Sequence, residues 1–192
     1  MAKKKKEFSD FRVFVTLTLV CLCAAGVLAL VHKLTKKPIE EARERARREA
    51  LKVVLPPETE NIETQIIKKG EQEHEIQVAK DASRNIVGYA VTATTNEGYG
   101  GDIVFLIGLD ANGKINTYKV MQHSETPGLG DNITTQDFKN QFEGKNSENF
   151  TFKVSKDGGD VQAITAATIS SRAACDALRK GLELFNEYQQ GR

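Results

Sequence analysis

Cysteine is scarce in this chain, with three among 192 residues, and that excludes a disulfide scaffold. Histidine is equally scarce, and its three copies stand far apart, so the Cys/His spacing of a zinc site is missing. An excess of one charge is also missing: 27 Lys and Arg face 26 Asp and Glu, for a formal net charge of +1. That balance argues against a nucleic-acid binder driven by phosphate neutralisation. Proline occurs four times and no long polar tract is present, which excludes wholesale disorder. No Ser-His-Asp arrangement, paired catalytic carboxylates or Walker loop appears, and Gly98 to Gly101 (GYGG) is not a GxGxxG fingerprint. The length is too short for two domains that each bury a full core. One ordinary domain with a small appendage remains.

The appendage is Val13 to Val31, VFVTLTLVCLCAAGVLALV, nineteen consecutive residues without a charge. At about 1.5 Å per residue such a helix is roughly 29 Å long, close to the roughly 30 Å of bilayer hydrocarbon. Lys3 to Lys6 and Arg12 precede it, and Lys33, Lys36 and Lys37 follow. A cleaved signal peptide has a shorter apolar core ending at a small-residue site. Here the run leads directly into His32 and Lys33, so an uncleaved single-pass anchor is expected. Counting basic residues gives five on the N-terminal side and seven from His32 to Leu51, which does not fix the orientation. Cys21 and Cys23 lie inside the span and read as small apolar helix residues. From Pro38 onward the chain holds 19 basic and 24 acidic residues, net −5. Such a domain should stay soluble and not lie flat on anionic lipid.

The expected organisation is a basic tail over 1–12, a transmembrane helix over 13–31, a stalk helix and linker over 32–60, and a folded domain over 61–192. Pro38 suits a first helical turn, Glu40 and Glu41 suit its dipole, and Pro56 and Pro57 stop the pattern. Ile39, Ala42, Ala46, Ala50 and Val53 would form a narrow contact stripe on this separate stalk. Beyond Asn61 the chain turns strand-rich. Strands are expected at Glu75 to Ala79, Ile86 to Thr94, Ile103 to Leu109, Ile115 to Met121 and Phe150 to Ser155. Asp110-Ala111-Asn112-Gly113 is a hairpin turn. Ser170 to Tyr188 closes the chain as a helix that buries Ala173, Ala177, Leu178, Leu182 and Phe185, with Cys175 packed on it. The fold class is α+β: a mostly antiparallel sheet with helices at its margins.

Two segments could carry chemistry. His123 to Gly130, HSETPGLG, is a tight loop whose glycines would let backbone approach a flat ligand closely, with exposed N–H groups for its oxygens. A plain connection after a hairpin accounts for the same composition. Ile164 to Arg172, ITAATISSR, places Thr168, Ser170 and Ser171 where the closing helix begins. A helix N-terminus with free N–H groups suits a phosphate. Ordinary N-capping by Thr or Ser, worth about 1 kcal/mol, accounts for the same hydroxyls.

Taken in order, the basic tail, single span, charged helix ending in VLPP, GYGG, ETPGLG and late T-x-A-T-x-S-S form a set over nearly the whole chain. That set resembles the G subunit of the Rnf complex and, more distantly, the C subunit of the sodium-pumping NADH:quinone reductase. The resemblance implies a membrane-anchored FMN-binding domain. It implies a motif written roughly Asp-x-x-Ser/Thr-Gly-Ala-Thr, in which FMN is joined through its phosphate to the last threonine. Laid on this sequence, Thr168 is the attachment residue, Ala167 the alanine and Thr165 the preceding hydroxyl. Ala166 stands where glycine is usual and Gln162 where aspartate is usual, with Asp160 two residues upstream. Ala166 is a modest change if φ there is negative; Gln162 bears on recognition by the flavin transferase.

By the same resemblance, Glu125, Thr126, Pro127, Gly128, Leu129 and Gly130 pack near the isoalloxazine. Thr126 and the backbone after Pro127 would supply hydrogen bonds, and Leu129 an apolar contact. Thr165, Ala166, Ala167, Ser170 and Ser171 complete the expected cofactor site around Thr168. The implied function is electron transfer within an ion-translocating ferredoxin:NAD oxidoreductase. Implied partners are the other complex subunits, membrane lipid and a flavin transferase, with no nucleic acid. The implied placement is an N-terminus in the cytoplasm and a domain outside it. A quinone-reductase subunit and an unflavinylated anchored scaffold are the alternatives.

Overall fold

The computed structural model describes residues 2–69 and 72–191, with side chains over 11–67 and 74–191. Residue 1 and the side chains of residues 2–10 of the expected basic tail, and residue 192 at the far end, lie outside that description. The N-terminal part is helix α1, Ala2–Val54. Its apolar stretch is long and apolar enough to cross a membrane, and none of that window is buried. Separate anchor and stalk helices were expected; one continuous helix is found, and Pro38 lies inside it. An interior proline removes one backbone hydrogen bond and costs about 3 kcal/mol. Strong helix formers on both sides, Leu and Ala before it and Glu, Arg and Ala after it, carry the helix through.

The remainder of the chain forms a compact unit from Arg47 onward. Five strands follow α1: β1 Asn61–Lys69, β2 Gln72–Lys80, β3 Ile86–Gly98, β4 Gly101–Asp110 and β5 Ile115–Gln122. They pair antiparallel in chain order, β1-β2-β3-β4-β5. The β4–β5 turn forms as its sequence requires, with Asp110 Oδ1 accepting from the N–H groups of Asn112 and Lys114, each at 2.8 Å. After β5 come a short helix, α2 (Gln136–Lys139), and the closing helix, α3 (Thr168–Gln190).

Side chains alternate across the sheet, and both faces are covered. On one face Ile76, Val78, Tyr89, Val91, Phe105, Ile107 and Leu109 meet Ala177, Leu178, Leu182 and Phe185 of α3. Tyr89 packs edge-on against Phe185 with centroids 4.9 Å apart. On the other face Ala79, Ala90 and Leu106 meet Ala50, Leu51, Val54 and Leu55 at the end of α1. The stripe expected on the stalk is therefore displaced. Ala50 is buried, but Ile39, Ala42, Ala46 and Val53 are exposed, and the buried row is Ala50, Leu51 and Val54. Leu51 and Val54 bury more apolar surface than alanines would, so they set which side of the helix faces the sheet.

The strand expected over Phe150 to Ser155 does not form. One isolated bridge joins Val154 to Val161, and the chain turns at Ser155–Asp157. Its alternating Phe150, Phe152 and Val154 serve an aromatic cluster instead. Phe142 stacks on Phe152 at 6.1 Å and meets Phe150 at 6.0 Å. Period-two apolarity reports burial on one side, and here a loop supplies it with a single bridge instead of a strand ladder.

Candidate functional site

Glu125 is the centre of the candidate site, because a buried carboxylate must find donors. It is 5% exposed. Its Oε1 accepts from the Gly100 N–H at 3.0 Å, and its Oε2 accepts from the Ser170 hydroxyl. Three distant segments, the β3–β4 turn, the ETPGLG loop and the first turn of α3, are thereby tied to one side chain. Gly100 and Gly130 permit this closeness. A Cβ on Gly100 would strike the Ser124 carbonyl, and one on Gly130 would strike Glu125 Oε2 and Ser170 Oγ. Of the expected loop residues, Glu125 and Gly130 are buried supports, whereas Thr126, Pro127, Gly128 and Leu129 face solvent. Gly128 takes a positive φ of 75°, and Leu129 N–H turns back to the Thr126 carbonyl at 3.1 Å.

The second segment begins with a tight turn. Ala167 N–H donates to the Ile164 carbonyl at 3.0 Å, which places Thr165 and Ala166 at the two central positions. Ala166 has φ of +61°. A turn of this kind demands a left-handed third residue, which is why glycine suits it. The proviso that φ be negative at Ala166 therefore fails, and the alanine sits there at a cost of about 1–2 kcal/mol. Gln162 is exposed, and its backbone is held by Gln141 on both sides. Asp160, two residues upstream, is exposed, and its Oδ2 accepts from the Thr151 N–H at 2.7 Å.

Thr168 is the first residue of α3, and the residue that caps the helix is Ala167, which offers no side-chain bond. Neither neighbouring hydroxyl substitutes as a cap. Ser170 Oγ is committed to Glu125, and Ser171 Oγ donates to the Ala167 carbonyl at 3.0 Å while accepting from the Ile164 N–H. The capping account of these hydroxyls is thus not met. No acidic residue occupies the first turn. Among the described residues, no hydrogen bond engages the half-buried Thr168 hydroxyl. An uncapped helix start carries free N–H groups and partial positive charge, a setting for an anion.

Apolar exposure marks the same place. Tyr99 is 71% exposed, Leu129 41% and Ile169 46%. Each is the chain neighbour of a residue tied together around Glu125: Gly100, Gly130 and Ser170. Of these, Tyr99 and Ile169 were missed from sequence; a large apolar residue between glycine or hydroxyl neighbours was the available signal. Cys175, by contrast, is a packing residue, buried so that its thiol is pushed up to about 12.

Residues 98–183, which contain this site, match the family described as FMN-binding domain. Residues 14–54 match the RnfG N-terminal region. The chain is 33% identical to the G subunit of the ion-translocating oxidoreductase complex of Salmonella typhi, with 86% of each chain covered. It is 34% identical to the G subunit of the same name from Methanosarcina acetivorans, covering 90% of this chain and 92% of the other. It is 26% identical, along the whole length of both chains, to the G subunit of the proton-translocating ferredoxin:NAD(+) oxidoreductase complex of Clostridium ljungdahlii. The chain belongs to the family of G subunits of ion-translocating oxidoreductase complexes. Among the described residues one helix, at the N-terminus, is long and apolar enough to cross a membrane, which supports a single-pass membrane protein. The crystal structure of Shewanella oneidensis NqrC, 20% identical, shares the fold with a TM-score of 0.51 over 72% of each chain.

The residues at the site suit FMN. An unengaged hydroxyl at an uncapped helix start would take its phosphate, and exposed Tyr99, Leu129 and Ile169 would offer apolar surface to its ring. FMN supplies the redox chemistry when bound, and the protein supplies tethering and orientation.

Proposed function

We propose that this chain is an electron-transfer subunit carrying FMN through a phosphoester on Thr168, within an Rnf-type ferredoxin:NAD oxidoreductase. The observation that carries the reading is the start of α3: Thr168 has a free hydroxyl at a helix terminus that no side chain caps. In the attachment step Thr168 Oγ1 bonds to the FMN phosphorus of FAD. The bond from that phosphorus to the bridging oxygen breaks, AMP leaves, and the hydroxyl proton passes to solvent. A flavin transferase is the partner for this step, and exposed Gln162 lies on the surface it must recognise. Thr126 and the backbone of Gly128 hold the ring's polar edge, and Leu129 covers its face.

Residues 13–31 form the membrane-spanning part of α1, residues 32–60 lead out of it, and 61–192 form the flavin domain. The N-terminus lies in the cytoplasm and the domain outside it, where a covalent link prevents loss of the cofactor. The other complex subunits are the electron partners. The test is in-gel fluorescence of the denatured protein, co-expressed with the flavin transferase, beside Thr168→Val. A fluorescent wild-type band and a dark variant are expected. Two dark bands, with no mass increment in the intact wild-type protein, would sink the reading and favour an unflavinylated scaffold.

A further inference from the structure

The geometry points to Arg172 as the cationic partner of the phosphoester on Thr168, held ready for it by Asp157. This inference rests on the attachment reading above. Thr168 and Arg172 are four residues apart on α3, so their Cβ atoms are roughly 5–6 Å apart on one side of the helix. Helical side chains lean toward the N-terminus, which brings Arg172 back over the turn that Thr168 opens. The guanidinium is gripped along one edge by the Asp157 carboxylate, Nε to Oδ2 at 2.6 Å and Nη2 to Oδ1 at 2.8 Å. An arginine has five N–H donors in a fixed fork, so the opposite edge keeps donors for a second anion.

The surrounding charge favours that second anion. The hydrogen bond from Arg172 holds the Asp157 carboxyl below its ordinary value, and Lys153 and Lys156 add to the effect. Arg172, Lys153 and Lys156 thus face one carboxylate, and the first turn of α3 adds no acidic residue. A phosphodiester monoanion still leaves the group with one positive charge in excess. The alternative role for the pair is a pin between the Ser155–Asp157 turn and α3, which has no connection to flavin.

The two roles separate in phosphorus NMR of the full chain in detergent, flavinylated by co-expression with the transferase. Arg172→Met is expected to move the phosphodiester resonance of the native protein, while the urea-denatured forms of all variants coincide. Arg172→Lys should restore part of the native position, and Asp157→Asn, which leaves the guanidinium in place, should move it less than Arg172→Met. The second readout compares flavinylated with flavin-free protein. Flavinylation should raise the wild-type Tm by about 2–4 °C, a gain of the size one strong contact produces in a chain of this length. Arg172→Met should remove that gain. An unmoved native resonance in a fluorescent Arg172→Met protein overturns the assignment of Arg172 and leaves attachment at Thr168 intact. Equal losses of Tm with and without flavin return the pair to the structural pin. A wild-type protein without flavin overturns both readings together.

Discussion

On one face of the sheet, α3 lays down Leu178, Leu182 and Phe185 among Tyr89, Phe105 and Tyr118. On the other, the end of α1 meets Ala79, Ala90 and Leu106 with Ala50, Leu51 and Val54. The first face is a thick aromatic layer; the second is a close approach of backbones, where a Cβ on Gly108 would strike the Val54 carbonyl. β4 serves both at once, with Phe105, Ile107 and Leu109 facing α3 and Leu106 and Gly108 facing α1. The difference teaches where stability and function are concentrated. The face that buries more apolar area also carries the helix whose first turn builds the site.

Two neighbouring residues of β4 test that contrast most severely. Phe105→Ala should cost about 3–5 kcal/mol in urea unfolding, and Leu106→Ala about 2–3 kcal/mol. Equal costs would break the comparison. Gly108→Ala should cost about 1–3 kcal/mol, because the neighbour it strikes is backbone and cannot rotate away. Its signature is faster hydrogen exchange at Leu51 to Leu55, with the α3 face unaffected. Ala166→Gly should add about 1 kcal/mol by releasing the left-handed strain. Unchanged stability there would mean that the turn relaxes without help. Glu75→Gln should cost less than about 1 kcal/mol, since the Arg47–Glu75 pair is half exposed at 43% and 50%. A larger loss would show that the α1 face depends on this pair more than on its small-residue contact.

Much of the fold was legible because its strands obey period two and its turns carry the expected residues. Asp110 to Gly113 forms its turn, and all five residues expected to be buried on α3 are buried. Continuity through Pro38 was not legible, since proline fits both a first turn and, at a cost, a helix interior. Phe150 to Ser155 misled because aromatic packing in a loop imitates a half-buried strand. At the site, the sequence pointed to ETPGLG and TAATISS but could not reveal Glu125 as their common tie. Ser170 lies 45 residues from Glu125, and no local pattern encodes that meeting. Nor could it reveal that Ser170 and Ser171 have other partners, which is what leaves the start of α3 uncapped.

The meander order of the sheet has a consequence for how the site comes into being. Each strand pairs with the one made just before it, so every pairing closes a short stretch of chain at modest entropic cost. The contacts of α3 are of another kind: Thr95 reaches Asp176 across 81 residues, and Tyr89 reaches Gln189 across 100. Helix α3 is therefore the element that must travel furthest along the contour to find its place. Ser170 meets Glu125 of the ETPGLG loop only after that journey ends, so the site at the start of α3 reports a finished fold.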